Sequence, residues 1–360
     1  MHQRFQVVGT GRVHPRLLEH EVLLALHPRR KESGEIVSTE KAARFIRERL
    51  GFKTHAVGYD VDARVMPNEW LDSEMQIRAA RIAMDEAGWT PDSVTLLVVL
   101  TSTPDYIRFP YQVGLVAKGL GLGNAPGFMS LNFDEGCGGF AHKLEVIKLM
   151  GYAGYRRVLV VAGNCYSAFM ALDDAEYCFA SNLNVSVFGD GAAAVCFQVV
   201  DTNDEIGLIA HSSVESYSNP PMEFRFGGCR APFRPGLTRE QTQYVMHGSV
   251  VSQYAPQLMA EAYQRLLKTH RFSLNDVKLL IPHQANPNAI VNDLTTPLGI
   301  PEDRVWLGGR EVGNVAVGCL PFGLDECRKN GRVKQGDLIA LVAIGAGNGA
   351  WTGGASLIVL

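Results

Sequence analysis

Three side chains, two of them set in glycine-marked turns, account for the chemistry this chain can do. Cys137 lies in Leu131-Asn-Phe-Asp-Glu-Gly-Cys-Gly-Gly-Phe140, after a short strand and before a helix expected over 140–150. Gly136, Gly138 and Gly139 let the backbone turn tightly, and a helix N-terminus offers unpaired N–H groups whose positive potential favours thiolate over thiol. One of those N–H groups can also face a thioester oxyanion. The remaining cysteines, at 165, 178, 196, 229, 319 and 327, do not have glycines on both sides at a helix start and read as small core residues.

His283 lies in Ile281-Pro-His-Gln-Ala-Asn286, directly after an apolar run whose end should point into a site. The proline fixes a bend, the amides that follow supply donors, and an imidazole so placed suits acid, base or hydrogen-bond chemistry. Asn314 lies in Glu311-Val-Gly-Asn-Val-Ala316, a glycine turn ahead of a helix expected over 322–329. The run Gly345-Ala-Gly-Asn-Gly349 follows a strand but opens no helix, so it fails as a dinucleotide fingerprint. It fits better as a loop that turns backbone N–H groups toward a developing oxyanion.

The elements that must position these groups recur. A helix expected over 74–87 leads through Gly-Trp-Thr-Pro to the apolar run 94–100. Much later a helical stretch around 262–268 leads through Phe272-Ser-Leu-Asn-Asp276 to the run 277–281, an offset of about 180 residues. The runs 157–162 and 337–343 keep the same offset, and Phe188-Gly-Asp-Gly-Ala-Ala-Ala-Val195 and Gly353-Gly-Ala-Ser-Leu-Ile-Val359 follow them as glycine turns feeding strands. The pattern implies two duplicated α/β halves with largely parallel sheets, residues 1–205 carrying the cysteine and 206–360 the histidine and asparagine. Residues 27–36 and 218–239 read as surface loops.

A chain of 360 residues with 46% apolar and 20% charged residues supports a large core and excludes disorder. Its net charge of −3 gives no broad nucleic-acid surface. No apolar stretch is long enough to span a membrane and no signal segment is evident, so a cytoplasmic location is expected. Seven cysteines without a Cys-x-x-Cys pair indicate neither a disulfide framework nor a metal site. The sequon at Asn184 carries no weight without secretion.

The Cys137 elbow, Pro282-His-Gln-Ala-Asn286, Gly313-Asn314 with Pro321 and Leu324-Asp325-Glu326, Phe188-Gly-Asp-Gly191 and the terminal glycine loop together resemble the β-ketoacyl-acyl-carrier-protein synthase III family of the thiolase superfamily, over nearly the whole chain. The resemblance implies a thiolase-like five-layered α-β-α-β-α fold and a homodimer. It also implies that Cys137 takes an acyl group from acyl-CoA and that a malonyl unit on acyl carrier protein is decarboxylated and joined to it, with no metal or tightly bound cofactor. His283 and Asn314 would hold the enolate oxygen, while N–H groups of Cys137 and of the loop at Asn348 would hold the tetrahedral oxyanion. Asn286 would lie along the pantetheine arm, Arg49 near the CoA phosphates, and Phe109 in the partner subunit's acyl pocket.

Departures from the family pattern keep other activities open. Asp134-Glu135-Gly136 precedes the nucleophile where the family carries small neutral residues. A nearby carboxylate would raise the thiol pKa, and Glu135 is read as a supporting residue, with a role as base the alternative. Asn348 interrupts the family's consecutive glycines, Phe45 stands where the family places an adenine-stacking tryptophan, and the first half is extended at 102–130. A non-decarboxylative acyl transfer or a joining of two acyl chains therefore stays open, as does a non-catalytic partner subunit. The C-terminal loop carries no second cysteine, which argues against a biosynthetic thiolase. Arg265, Lys268 and Arg271 read as a solvated helix face, with a docking patch for an acidic carrier protein as the alternative.

Overall fold

Strands that are apolar on both faces must be covered on both faces, and that requirement organises this molecule. The computed structural model describes residues 2–169, 186–202, 210–224 and 244–360, except 27, 30, 32–34, 61–62, 64, 108, 217 and 348–349. The first sheet comprises β1 (His2–Val13), β2 (Leu96–Thr101), β3 (Met129–Asp134), β4 (Arg157–Asn164) and β5 (Gly191–Thr202), in the order β1-β5-β4-β2-β3. The second comprises β6 (Ala210–Ser216), β7 (Leu279–Pro282), β8 (Leu338–Ala346) and β9 (Trp351–Val359), in the order β7-β8-β9-β6. In the first sheet β2 runs parallel to β4, which is antiparallel to β5, itself antiparallel to β1. The series β7, β8, β9, β6 repeats that order and those directions.

Side-chain alternation sorts the strands' residues into separate cores. Leu96, Val98 and Leu100 point with Val158, Val160, Ile339 and Leu341 into a central core between the sheets, whereas Leu97, Val99, Leu159 and Val161 point to the opposite face. Helices α1 (Asp72–Ala87) and α2 (Gln112–Leu120) cover that outer face. Helix α3 (Gly139–Tyr152) packs against β8 and β9, and its Phe140, Leu144 and Ile147 enter the central core. On the far side, α4 (Gly248–His270) and α5 (Ile290–Thr295) cover Ala340, Val342 and Leu357. Helix α6 (Cys319–Lys329) lies beside α3 in the middle, against β1 and β5. The layers are therefore helix, sheet, helix, sheet, helix, the thiolase-like fold.

The expected repeat elements fall where the spacing puts them, most with ends shifted by a few residues, but α4 begins at Gly248, well before the stretch expected around 262–268. The sheets are mixed and not largely parallel as expected, because β1, β5, β6 and β9 pair antiparallel. Strand β6 was not expected, because Ala210-His-Ser-Ser-Val-Glu-Ser216 has too few apolar residues to show a buried period. The loops at 27–36 and 218–239 lie partly outside the described residues, as does the sequon, whose Asn184 and Val185 are outside them. Among the described residues no helix is long and apolar enough to cross a membrane.

Candidate active site

The nucleophile turn is shaped by what presses on it. Cys137 sits between the end of β3 and the start of α3 and is 8% exposed. The Gly136 N–H donates to the Ala346 carbonyl at 3.1 Å, which ties the turn to the end of β8. A Cβ on Gly138 would lie 1.7 Å from the Thr352 carbonyl oxygen, so only glycine lets α3 begin against β9. Gly138→Ala is expected to cost about 3 kcal/mol of stability, measured by urea unfolding, because backbone rather than a movable side chain must give way. An unchanged midpoint would show that the two halves do not press together here.

The second half brings its polar groups to the same place. Gly313, at φ +84°, turns the chain so that the Asn314 N–H donates to the Val187 carbonyl at 2.9 Å and the Asn314 carbonyl accepts from the Gly189 N–H at 3.1 Å. The Gly-Asn turn is thus stitched to the Phe188-Gly-Asp-Gly191 turn of the first half. Asp190, in that turn, accepts the Gly58 N–H at 2.8 Å and both the N–H and hydroxyl of Ser167, and burial pushes its pKa up to about 6.

Asn314 links the other two groups. Its Oδ1 accepts the Ala316 N–H at 2.9 Å, which orients the amide, and lies 2.9 Å from His283 Nε2. An amide oxygen only accepts, so the imidazole carries its proton on Nε2. Asn314 Nδ2 is then aimed at Cys137 Sγ, 3.8 Å away. The His283 N–H donates to the Val342 carbonyl at 2.8 Å, which holds the histidine at the end of β7.

Burial sets the protonation states. His283 is held down to about 4, against a weaker opposing effect of the Asn314 hydrogen bond, so the ring is neutral near pH 7 and donates through Nε2–H. Cys137 is pushed up to about 12 by burial, with the Asn314 hydrogen bond and a backbone N–H acting weakly the other way. This corrects the expectation of a resting thiolate: desolvation outweighs the helix N-terminus. Nor do Asp134 and Glu135 act on the thiol, since burial alone raises it. Because thiolate fraction rises tenfold per pH unit below the pKa, alkylation of Cys137 by iodoacetamide should accelerate about tenfold per unit through pH 9. A plateau near pH 7 in the intact-mass time course would contradict the buried thiol.

All three groups line one cavity of about 700 Å³, together with Phe45, Arg29, Asn286, Tyr166, Phe188 and Met222. Phe45 carries the Arg29 guanidinium over its ring at 4.0 Å, and Asn286 Oδ1 accepts the Ala289 N–H at 2.9 Å. Other expected site residues lie elsewhere. Arg49 is exposed on the helical turn Ile46–Leu50 and does not line the cavity, although its neighbour Leu50 does, and Phe109 is 77% exposed and packs edge-on against Tyr111. Asn348 lies outside the described residues. Glu135 is buried in an ion pair with Lys143 at 2.6 Å and lines a neighbouring cavity, not the one that holds Cys137. Sequence reasoning missed Tyr166 and Arg29. Tyr166 had a usable signal, its place just after the carboxyl end of a parallel strand.

Residues 131–217 match the 3-Oxoacyl-[acyl-carrier-protein (ACP)] synthase III family, and residues 267–358 match 3-Oxoacyl-[acyl-carrier-protein (ACP)] synthase III C terminal. A β-ketoacyl-[acyl-carrier-protein] synthase III of Solibacter usitatus is 31% identical over 317 residues, covering 87% of this chain and 89% of that protein. The crystal structure of the 3-oxoacyl-[acyl-carrier-protein] synthase III of Aquifex aeolicus superposes with a TM-score of 0.77 at 25% identity, over 99% of this chain and 100% of that one. The priming β-ketosynthase of a polyketide biosynthetic pathway does so at 0.78 and 25%, over 99% and 96%. With a relative of this identity aligned along most of both sequences, the chain belongs to the β-ketoacyl-[acyl-carrier-protein] synthase III family.

Proposed function

We propose that Cys137 is the acyl acceptor and that His283 and Asn314 stabilise the enolate in a decarboxylative condensation, the reaction type of the family. The observation that carries these roles is the position of Asn314, whose amide reaches both Cys137 Sγ and His283 Nε2 within one cavity. The Cys137 thiol loses its proton and attacks an acyl thioester, an acyl-CoA, whose thiol leaves. A malonyl thioester on an acyl carrier protein then enters, and the electrons of its C–CO2 bond pass into the thioester as CO2 departs. The enolate oxygen takes hydrogen bonds from Asn314 Nδ2–H and from His283 Nε2–H, which exchanges its resting acceptor Asn314 Oδ1 for the enolate. Its α-carbon attacks the acyl carbonyl, the Cys137 sulfur leaves as thiolate and regains a proton, and a β-ketoacyl thioester is released. A neutral imidazole suits this step, because an uncharged N–H of low acidity holds the enolate without protonating it.

In this reading the Cys137 N–H and the loop at Asn348 hold the oxyanion, Asn286 borders the pantetheine arm, Phe45 with Arg29 marks the mouth of the cavity, and Arg49 meets phosphate outside it. No tightly bound cofactor takes part, and the location is cytoplasmic. The halves divide at 205/206, since the first sheet uses residues 2–202 and the second 210–359. The homodimer joins at β3, an edge strand that begins at exposed Met129, with exposed Phe109 and Tyr111 on the segment before it, which sends Phe109 toward the partner. Sedimentation should give twice 39.3 kDa, and a monomer at micromolar concentration would refute that assembly.

The reaction is tested with an acyl-CoA and malonyl-carrier protein labelled in its free carboxyl. One labelled CO2 per β-ketoacyl product is expected. A joined product that keeps the label would replace condensation with the non-decarboxylative alternative, and no product with a competent partner synthase absent would favour the partner-subunit reading.

A further inference from the structure

The cavity that holds Cys137 abuts a second one of about 550 Å³, lined among the described residues by Met66, Leu71, Ser102, Thr103, Ile107 and Cys165 among others. The two share Gly136, Ala346, Met222 and Tyr166. Of these, the glycine and alanine are too small to separate anything, and Tyr166 is the bulky, rigid member of the wall.

Tyr166 is held from both sides. Its ring is 2% exposed and stacks on Phe188 with centroids 3.9 Å apart and planes 18° from parallel. Its hydroxyl lies 2.7 Å from Ser102 Oγ, which also accepts a hydrogen bond from Asn164 Nδ2 at 2.9 Å. Asn164 Oδ1 in turn accepts the Val317 N–H at 3.2 Å, just beyond the Asn314 turn. The next residue, Ser167, is fixed by its bonds to Asp190. A ring tied at its face, its tip and its backbone neighbour does not swing aside at low cost.

Resting on the reading of Cys137 as acyl acceptor, we propose that Tyr166 sets the length of acyl group the protein accepts, by closing the passage from Cys137 into the second cavity. The first cavity must leave room for the incoming thioester and its pantetheine arm, and the second cavity is the space adjoining the Cys137 end of the first, with Tyr166 and Met222 between them. The substrate class is therefore a short acyl thioester. With the ring removed, the tail runs past Met222 toward Met66, Leu71 and Ile107.

The test is the rate of acyl loading, read by intact-protein mass, across acetyl-, butyryl-, octanoyl- and decanoyl-CoA for the unsubstituted protein, Tyr166→Ala and Tyr166→Phe. The ratio of decanoyl to acetyl loading is expected to rise about tenfold or more in Tyr166→Ala, and to stay within about twofold in Tyr166→Phe, which keeps the ring and loses only the tie to Ser102. If Tyr166→Ala does not fold by circular dichroism, Tyr166→Leu is read on the same ratio. The proposal is overturned if the unsubstituted protein loads decanoyl as fast as acetyl, or if a folded small-residue variant keeps the original ratio. If the unsubstituted protein takes up no acyl group from any donor although iodoacetamide reaches Cys137, the acyl-acceptor reading itself fails and this inference falls with it.

Discussion

Replacing Asn314 or His283 with Ala is expected to slow condensation about 10²–10³-fold while acyl loading of Cys137 stays within about tenfold of the unsubstituted rate. The split follows from what each side chain can touch. Asn314 Nδ2–H points at the sulfur and His283 Nε2–H, which rests on Asn314 Oδ1, lines the same cavity; the negative charge these donors can meet develops on the second thioester, after the acyl group is in place. Loading draws on the turn around Cys137, which both substitutions leave intact. Asn314→Asp sharpens the test: its carboxylate can accept from Ala316 and His283, but it loses the Nδ2 donor and adds charge repulsion toward an enolate. It should be at least as slow in condensation as Asn314→Ala. Equal losses in both half-reactions would mean that these groups serve the thiol and not the enolate.

Cys137→Ala should remove activity altogether, a loss of about 10⁴-fold or more in turnover measured by product formation. Among the described residues no other thiol can stand in. Cys165 opens on the second cavity with its thiol driven far up by burial and by nearby carboxylates, and Cys319 accepts a bond from the Gln284 N–H and is fully buried. Serine at 137 should rescue little, since a hydroxyl deprotonates less readily than the thiol and meets the same buried surroundings. Turnover above one hundredth of the original in Cys137→Ala would require a different nucleophile.

The parts of this account that were legible in the sequence share a physical reason. Strands buried on both faces leave unbroken apolar runs, so β2, β4, β7 and β8 could be read directly, and their offset exposed the repeat. Turns that need glycine leave glycine, so Gly138 at the elbow and Gly313 before Asn314 marked two of the three chemical groups. Strand β6 was silent because its sequence is mostly polar. The protonation state of Cys137 was misread because the helix N-terminus is visible in sequence, whereas the depth at which Gly345, Ala346 and Thr352 enclose the turn is set by the other half of the chain. Glu135 was ambiguous for the same reason: its partner Lys143 sits about one turn into α3, and only the packed structure shows that the paired Glu135 faces a neighbouring cavity. Tyr166 carries no motif, and its place between two cavities arises from contacts with Phe188 and Ser102 that are distant in sequence.

The central claim is that Cys137 carries the acyl group between two half-reactions. It is tested most directly by isolating the protein after exposure to an acyl-CoA, weighing it intact, mapping the added mass by peptide analysis, and then adding malonyl-carrier protein. The expected result is one acyl mass on the peptide containing Cys137, its disappearance on addition of malonyl-carrier protein, and a matching yield of β-ketoacyl product. Acyl mass on another residue, or an acyl-Cys137 that persists while product accumulates, would contradict it.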